Sequence, residues 1–235
     1  MRILALETSA KAVSAAVTED GKVLCSGYQD TGLTHSRTLM PIVEAMLKNT
    51  GLTVQDCDAV AVAAGPGSFT GIRIGVSAAK GLAFAADKPC AAVSTLEAMA
   101  RNVAHMDALV VCAMDARRSQ IYNALFTSEH GRLTRRTPDR AIGLPGLAEG
   151  GGELRSEPLP LVIVGDGAVL CEKALTESGL PCRLAPPQLV MQNAMSVALC
   201  AEDLARAGKL VSAQELLPVY LRPPQTQRLR QPPQI

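Results

Sequence analysis

The sequence predicts an α/β protein of two lobes, each built from a mixed β-sheet flanked by helices. Residues 1–103 alternate short apolar runs and amphipathic stretches in the order βββαβαβα, and a similar but weaker cadence starts at Leu109. Apolar residues make up 48% of the 235 residues and charged residues 19%, a balance that suits a chain with a sizeable core.

In the first half of the chain, apolar runs bounded by turn-forming residues predict strands, and apolar residues spaced at i, i+3 and i+4 predict helices. The predicted strands are Ile3–Thr8, Val13–Thr18, Val23–Tyr28, Ala59–Ala64 and Pro89–Val93. The predicted helices are His35–Asn49, Ile72–Ala86 and Thr95–Asn102, and Gly51 is expected to end the first of them.

In the second half the same patterns are weaker. The predicted strands are Leu109–Met114, Gln120–Phe126 and Leu161–Val164, and the predicted helices are Val169–Ser178 and Ala194–Ala207. Gly143–Pro160, rich in Gly, Pro and Glu, predicts a long loop. The predicted domains are residues 1–103, rejoined by 208–222, and residues 104–207, followed by a disordered tail at 223–235. This order fits the layout of actin-like ATPases (the ASKHA, ribonuclease H-like fold), in which a duplicated unit forms two halves around a cleft.

The composition argues against several classes of protein. The net charge is +1 without a long run of Lys or Arg, so we expect another protein to make most of the contacts with any bound RNA. The seven cysteines are widely spaced without a C-x-x-C pair, which predicts free thiols in a reducing compartment. The chain leads straight into a strand and has no apolar run that could span a bilayer, so we expect a cytoplasmic protein without membrane contact.

The sharpest local signal is the glycine-rich stretch Gly65–Gly75, in which a strand runs into glycines and then a helix. Free backbone N–H groups at a helix start favour an anion, so Gly65, Gly67 and Ser68 are candidate phosphate contacts. A tight turn that needs glycine for its backbone angles explains the stretch equally well. No Lys-Ser/Thr pair follows, which excludes a Walker loop.

The helix after this stretch carries a stripe of small residues. Gly71, Gly75, Ala79 and Ala83 lie four apart on one face, and Ile72, Val76 and Leu82 widen the apolar surface. Small residues let another element approach closely, either the chain's own sheet or a partner. The sequence favours the partner, and a bulky residue at Gly75 or Ala79 is then expected to weaken binding while the chain stays folded.

Isolated polar residues give weaker signals. Glu7 could orient Mg²⁺ or water at the end of the first strand, although a capped turn explains Glu7-Thr8-Ser9 better. Asp166 could touch a ligand, but a helix cap is favoured. Arg117 and Arg118 are expected to be solvated hairpin charges. The histidines, His35, His105 and His130, are not spaced for joint metal binding, so no catalytic residue and no metal ligand is predicted.

Four segments together resemble the TsaB family of threonylcarbamoyladenosine-biosynthesis proteins. They are Ile3–Ser9, Gly65–Gly75, Asp115–Arg118 with Tyr122, and Pro218–Arg222. The resemblance implies a partnership with a catalytic paralogue, TsaD, and a small ATPase, TsaE. Together they place threonylcarbamoyl on N6 of the adenosine beside the anticodon, in tRNAs that read codons beginning with A. It implies tRNA contact through the complex, no cofactor of the chain's own, and room for ATP or ADP at an interface of the complex.

The resemblance also implies where the paralogue binds. The helices matching His35–Asn49 and Ile72–Ala86 form a four-helix contact in the family, and the same surface supports a homodimer when the partner is absent. The implied interface residues are His35, Leu39, Val43, Met46, Ile72, Gly75, Val76, Ala79, Leu82 and Ala83.

The same resemblance implies that this chain is not itself the enzyme. The catalytic paralogue carries H-x-x-x-H after the strand matching Pro89–Val93, whereas Thr95 and Met99 occupy those two positions here. A hydroxyl and a thioether cannot replace two imidazoles for a hard or borderline cation. The alternatives are a phosphotransferase or ATPase of the actin-like superfamily using Glu7, Asp115 or Asp166, and a metallopeptidase, which would have to bind metal.

Overall fold

The computed structural model describes residues 1–149, 152–155 and 158–222, and two β-sheets organise this part of the chain. The first sheet has the order β3-β2-β1-β4-β5, in which β1 is antiparallel to β2 and parallel to β4. Its strands, β1 to β5 in chain order, are Arg2–Glu7, Val13–Glu19, Lys22–Gln29, Ala59–Gly65 and Cys90–Ser94.

The second sheet has the order β11-β10-β6-β7-β8, and β9 also pairs with β7. Its strands, β6 to β11, are Ala108–Asp115, Gln120–Glu129, Arg132–Arg135, Arg140–Gly143, Leu161–Val164 and Cys182–Leu184. The sheet is mixed, because β6 is antiparallel to β7 and parallel to β10. The predicted class, an α/β chain with two mixed sheets, is confirmed.

Helices cover both sheets. In chain order, α1 to α8 are His35–Thr50, Phe69–Ala86, Thr95–Arg101, Leu144–Glu149, Gly152–Arg155, Ala168–Glu177, Pro187–Val190 and Ala194–Arg206. A single 3₁₀ turn spans Val54–Asp56. Gly51 ends α1 with a left-handed backbone, as predicted. None of the helices within the described ranges is long and apolar enough to cross a membrane.

Several predicted elements were wrong. Gly143–Pro160 is not a loop throughout, because α4 and α5 lie within it. The glycine-rich loop is shorter than predicted, since α2 begins at Phe69 rather than Ile72. Four elements, β8, β9, β11 and α7, were not predicted; each is only three or four residues long, too short for a periodic pattern to emerge. The predicted disordered tail, 223–235, lies outside the described residues.

The two faces of the first sheet are covered by helices from different parts of the chain. α1 and α2 bury one face, and α8 buries the other through Ala194, Val197, Ala198 and Ala201. The sequence-based division groups α8 with residues 104–207, yet α8 packs on β1 and β2 of the first sheet. The domain boundaries themselves stay a prediction.

Most of the side chains assigned to the partner interface face inward. The apolar core between α1, α2 and the first sheet contains eight of them: Leu39, Val43, Met46, Ile72, Gly75, Val76, Ala79 and Ala83. His35 and Leu82 are partly exposed. Gly75 and Ala79 of the small-residue stripe are buried against the sheet, which agrees with the alternative role of the stripe, close packing of α2 on the chain's own sheet. An interface on these two helices, and the residues that form it, stay a prediction.

Gly75 shows how closely α2 approaches the sheet. A Cβ atom at this position would collide with Oγ1 of Thr8 and lie 3.2 Å from Cγ2 of Val62. The Thr8 hydroxyl also donates a 2.8 Å hydrogen bond to the carbonyl oxygen of Gly71, one turn earlier in α2. These contacts fix the height and the rotation of α2 above β1.

The segment after α8, residues 208–222, returns to the first sheet. Val211 forms a backbone bridge with Cys90 at the sheet edge, and the Lys80 ammonium donates to the carbonyl oxygens of Gln214 and Leu216. Farther along, the Val219 amide donates to the Ala64 carbonyl at 2.7 Å. The last described residue, Arg222, donates from Nη1 to the Ala116 carbonyl of the second sheet's hairpin.

We predict that Gly75→Leu destabilises the protein by about 3 kcal/mol or more, because overpacking of a filled site forces the helix away from the sheet. The same substitution at Gly81, where an added Cβ meets no atom within 4 Å, is the matched control and should leave the stability unchanged or slightly higher. Urea unfolding followed by circular dichroism measures both. Equal stability of the two variants would contradict the close approach of α2, and would restore the expectation that a bulky Gly75 variant stays folded.

Candidate functional site

A cleft of about 860 Å³ lies between the two sheets. Its walls come from the β1–β2 turn, the start of α2, the β6–β7 turn, the start of α6 and the end of the C-terminal segment. Representative lining residues are Ser9, Lys11, Gly67, Ser68, Phe69, Met114, Asp115, Arg117, Arg118, Asp166, Tyr220 and Arg222. Of the predicted anion or nucleotide contacts, Gly67, Ser68 and Asp166 line this cleft, whereas Glu7 and Gly65 do not.

The start of α2 is held against the β1–β2 turn. The Ser68 side chain caps the helix by accepting from the Gly71 amide at 3.3 Å, and the Ser68 amide donates to the Ser9 carbonyl at 2.7 Å. The connection from β4 to α2 is therefore a tight turn, as the alternative interpretation of the glycine-rich stretch requires. An anion at this helix end, with Gly67 and Ser68 beside it, stays a prediction.

Glu7 is a buried carboxyl at the end of β1. Its Oε1 accepts from the Ser9 amide, whereas its Oε2 is buried without a hydrogen-bond partner among the described residues. Burial raises the pKa of Glu7 to about 7, against the lowering effect of the neighbouring Ser9 and with a smaller contribution from the nearby charge of Asp166. The Ser9 hydroxyl is likewise buried and unpaired within the described chain. The capped-turn interpretation of Glu7-Thr8-Ser9 thus accounts for only part of this site.

Asp166 lies across the cleft, between β10 and α6. Its Oδ1 accepts a 3.0 Å hydrogen bond from Nε2 of Gln192, and burial raises the pKa of the carboxyl. The favoured interpretation of Asp166 as a helix cap was wrong: Gly167 occupies the N-cap position of α6, and that helix end has no side-chain cap. Asp166 is therefore free to face the cleft.

Arg117 and Arg118 form the tip of the β6–β7 turn, where both have left-handed backbone angles. Arg117 is 75% exposed and lies 3.6 Å from Asp115, and Arg118 is also exposed. Exposure agrees with the prediction that both are solvated hairpin charges, although both also line the cleft.

Thr95 and Met99 lie in the first turns of α3, at the junction of the two sheets. Both side chains are fully buried, and the Thr95 hydroxyl has no partner among the described residues. Met99 packs with Leu96, Val110 and Val164 in the apolar core of the second sheet. In the described ranges, no three His, Cys, Asp or Glu side chains are grouped so that they could hold a metal ion.

A second depression runs between the exposed sides of α1 and α2. This groove, called the α1–α2 groove below, is lined by His35, Ser36, Leu39, Met40, Phe69, Thr70, Arg73, Ile74, Ser77 and Ala78. His35 and Leu39 belong to the predicted interface, whereas Met40, Arg73 and Ile74 were not among the predicted residues. They lie beside the predicted apolar stripe, so helical periodicity alone could not select them.

Phe69, Arg73 and Tyr220 form a cluster at the boundary of the cleft and the α1–α2 groove. The Arg73 guanidinium lies 3.8 Å from the centroid of the Phe69 ring, and its Nε donates to the Tyr220 hydroxyl at 2.9 Å. The Phe69 and Tyr220 ring centroids are 5.1 Å apart. The family resemblance is the one signal that Pro218–Arg222 carries in the sequence. Its contact with α2 spans 147 residues of sequence, so no local pattern could reveal it.

We predict that the Glu7 carboxyl makes stability depend on pH. Because its pKa is raised in the folded protein, its contribution is fully present below the unfolded value of 4.5 and is lost as the pH rises through about 7. Relative to Glu7→Gln, the wild type should therefore lose on the order of 3 kcal/mol of unfolding free energy between about pH 4 and about pH 8.

Chemical denaturation across this range measures the difference, with Glu44→Gln on the exposed side of α1 as the control. If wild type and Glu7→Gln follow parallel curves, the carboxyl does not titrate as proposed.

Residues 29–145 match the family model of TsaD, tRNA N6-adenosine threonylcarbamoyltransferase. The chain is also similar to two curated proteins called tRNA threonylcarbamoyladenosine biosynthesis protein TsaB. The relative from Escherichia coli K12 is 32% identical over 94% of this chain and 95% of its own length. The relative from Bacillus subtilis 168 is 34% identical over 75% of this chain and 76% of its own length.

Solved structures agree with the fold. An uncharacterised protein from Pseudomonas aeruginosa with similarity to peptidase YeaZ has a TM-score of 0.78 at 28% identity, covering 94% of this chain and 99% of that one. A ROK hexokinase from Thermus thermophilus, only 14% identical, has a TM-score of 0.50 over 88% of this chain and 100% of its own, and shows the fold alone. The fold is that of the actin-like ATPases, as the strand order predicts. By its identity with relatives matched over most of their length, the chain belongs to the TsaB family of tRNA threonylcarbamoyladenosine biosynthesis proteins.

Proposed function

We propose that this chain is a non-catalytic subunit of the complex that transfers a threonylcarbamoyl group to N6 of the adenosine beside the anticodon. It binds and supports the catalytic paralogue TsaD, together with the ATPase TsaE. In this role the chain acts by binding the paralogue, and it contacts tRNA as part of the complex.

The observation that carries the proposal is the burial of Thr95 and Met99. The family resemblance implies that they occupy the positions of the catalytic paralogue's two histidines, and both side chains are buried. Neither a hydroxyl nor a thioether is a suitable ligand in place of imidazole for a hard or borderline cation. Met99 also fills the core between α3 and the second sheet, so this position contributes to packing.

The alternative is a phosphotransferase or ATPase that uses the cleft. One observation favours it: the buried Oε2 of Glu7 and the side chain of Asp166 leave acidic groups close to a cavity large enough for a nucleotide. The role of these groups in nucleotide binding stays a proposal. Steady-state ATP hydrolysis by the isolated chain separates the two functions, because a scaffold subunit should show none.

The α1–α2 groove supports docking of the paralogue. It combines exposed apolar side chains, including Met40 at 42% exposure, with a fixed arginine, a composition typical of interface centres. The same surface would be available for a second copy of this chain when the paralogue is absent.

We predict that Met40→Glu weakens binding of the paralogue by at least about tenfold, because it places a charge among apolar groups that docking removes from water. Phe84→Glu is the matched control, since Phe84 is 71% exposed on α2 but lies outside the groove. Isothermal titration calorimetry with the purified paralogue measures the affinities. Equal affinities for the two variants would place the interface elsewhere.

We also predict that the chain alone forms no threonylcarbamoyladenosine, and that adding it to the paralogue, TsaE, threonylcarbamoyl adenylate and tRNA raises product formation. Nucleoside analysis of the tRNA by mass spectrometry measures the product. Met40→Glu should restore activity only at higher concentration, since it impairs docking alone. Product formation by the isolated chain would refute the non-catalytic role.

A further inference from the structure

The Arg73 guanidinium is held in a fixed position on the wall of the α1–α2 groove. Its plane is supported by the Phe69 ring, 3.8 Å from the centroid, and its Nε donates to the Tyr220 hydroxyl. Tyr220 is itself anchored, because the neighbouring Val219 amide donates to the Ala64 carbonyl in β4. A guanidinium that is positioned in advance loses little rotamer freedom when it binds.

The rest of the guanidinium has unused donors. Arginine has five N–H donors in a planar fork, and within the described part of the chain only the Nε donor is engaged. Throughout the described residues, no carboxylate forms an ion pair with Arg73, although the side chain is exposed. The two Nη groups are therefore available to a ligand that approaches along the groove.

The groove around Arg73 provides no counter-charge. Its other walls are apolar or uncharged, chiefly Leu39, Met40, Ile74 and Ala78, and none of its described lining residues is Asp or Glu. A partner that covers this groove removes the guanidinium from water, which is costly unless the partner brings an anion. Charge complementarity thus specifies what the partner must present.

We propose that Arg73 receives a carboxylate of the docked catalytic paralogue, from an Asp or Glu flanked by apolar side chains, in a paired, charge-assisted hydrogen bond. This inference rests on the proposed function, because it names the anchor of that interaction. Bidentate pairs of this kind are among the strongest polar contacts at interfaces.

The same arrangement selects against self-association. In a symmetric dimer the two copies use the same surface patch, so the partner copy would bring another Arg73 and no groove carboxylate. Arg73 accordingly favours the paralogue over a second copy of this chain.

Titration calorimetry with the purified paralogue, on variants of the full chain, tests this inference. Arg73→Leu should weaken binding by roughly 30-fold, and Arg73→Lys by a comparable factor, because lysine lacks the planar fork. Arg37→Leu removes an exposed charge of α1 outside the groove and should bind within about twofold of the wild type. Tyr220→Phe, which retains the ring and removes the acceptor for Nε, should give an intermediate loss.

Two further readouts separate an anchor from a merely structural side chain. The affinity of the wild type should fall more steeply with salt than that of Arg73→Leu, since one ion pair has been removed. Sedimentation velocity measures self-association, which should be at least as strong in Arg73→Leu as in the wild type. Melting curves establish that each variant is folded, and Arg73→Lys and Tyr220→Phe serve if Arg73→Leu is not.

The proposal is overturned if Arg73→Leu binds the paralogue as tightly as the Arg37→Leu control does. It is also overturned if Arg73→Leu weakens paralogue binding and self-association equally. These results differ from failure of the proposed function, in which the wild-type chain would not bind the paralogue at all.

Discussion

The close approach of α2 to β1 is the contact on which the rest of the structure depends. At Gly75 the helix comes so near the sheet that Thr8 fills the space of a side chain, and the Thr8 hydroxyl bonds to the Gly71 carbonyl. This contact fixes the position of α2 relative to the cleft and to the α1–α2 groove. It brings Ser68 to the cleft and Arg73 to the adjoining α1–α2 groove. One helix therefore links the two surfaces without any additional element.

Much of the fold was predictable, because long strands and helices carry strong periodic patterns. α1 and α8 were predicted to within a residue or two of their bounds, and Leu161–Val164 was predicted as it occurs. The surface against which the small-residue stripe of α2 packs was not predictable in the same way. A stripe of small residues permits close approach to any surface, and only the burial of Gly75 and Ala79 shows that the surface is the chain's own sheet. The placement of α8 was missed for a related reason: its apolar face is visible in the sequence, but its target is not.

The candidate site was predicted only in part. The glycine-rich stretch was recognisable as a strand-to-helix turn from its composition, and its residues Gly67 and Ser68 line the cleft. The pairing of Asp166 with Gln192 and of Arg73 with Tyr220 depends on segments far apart in sequence, which one sequence does not bring together. The unpartnered oxygen of Glu7 is likewise a property of the packed state. A single sequence thus identifies candidate site residues, whereas the hydrogen-bond partners of these residues are set by the tertiary structure.

The return of the chain to the first sheet has a consequence for synthesis on the ribosome. The inner face of β1, β2, β4 and β5 is covered by α8, and the sheet edge at Cys90 is paired with Val211. A nascent chain that has released only its first half therefore exposes a bare apolar sheet face and an open strand edge, both of which favour aggregation. The first sheet can close only after residues 194–211 have emerged, so this protein is expected to depend on chaperones or on slow release during translation more than a chain whose sheets are contiguous in sequence.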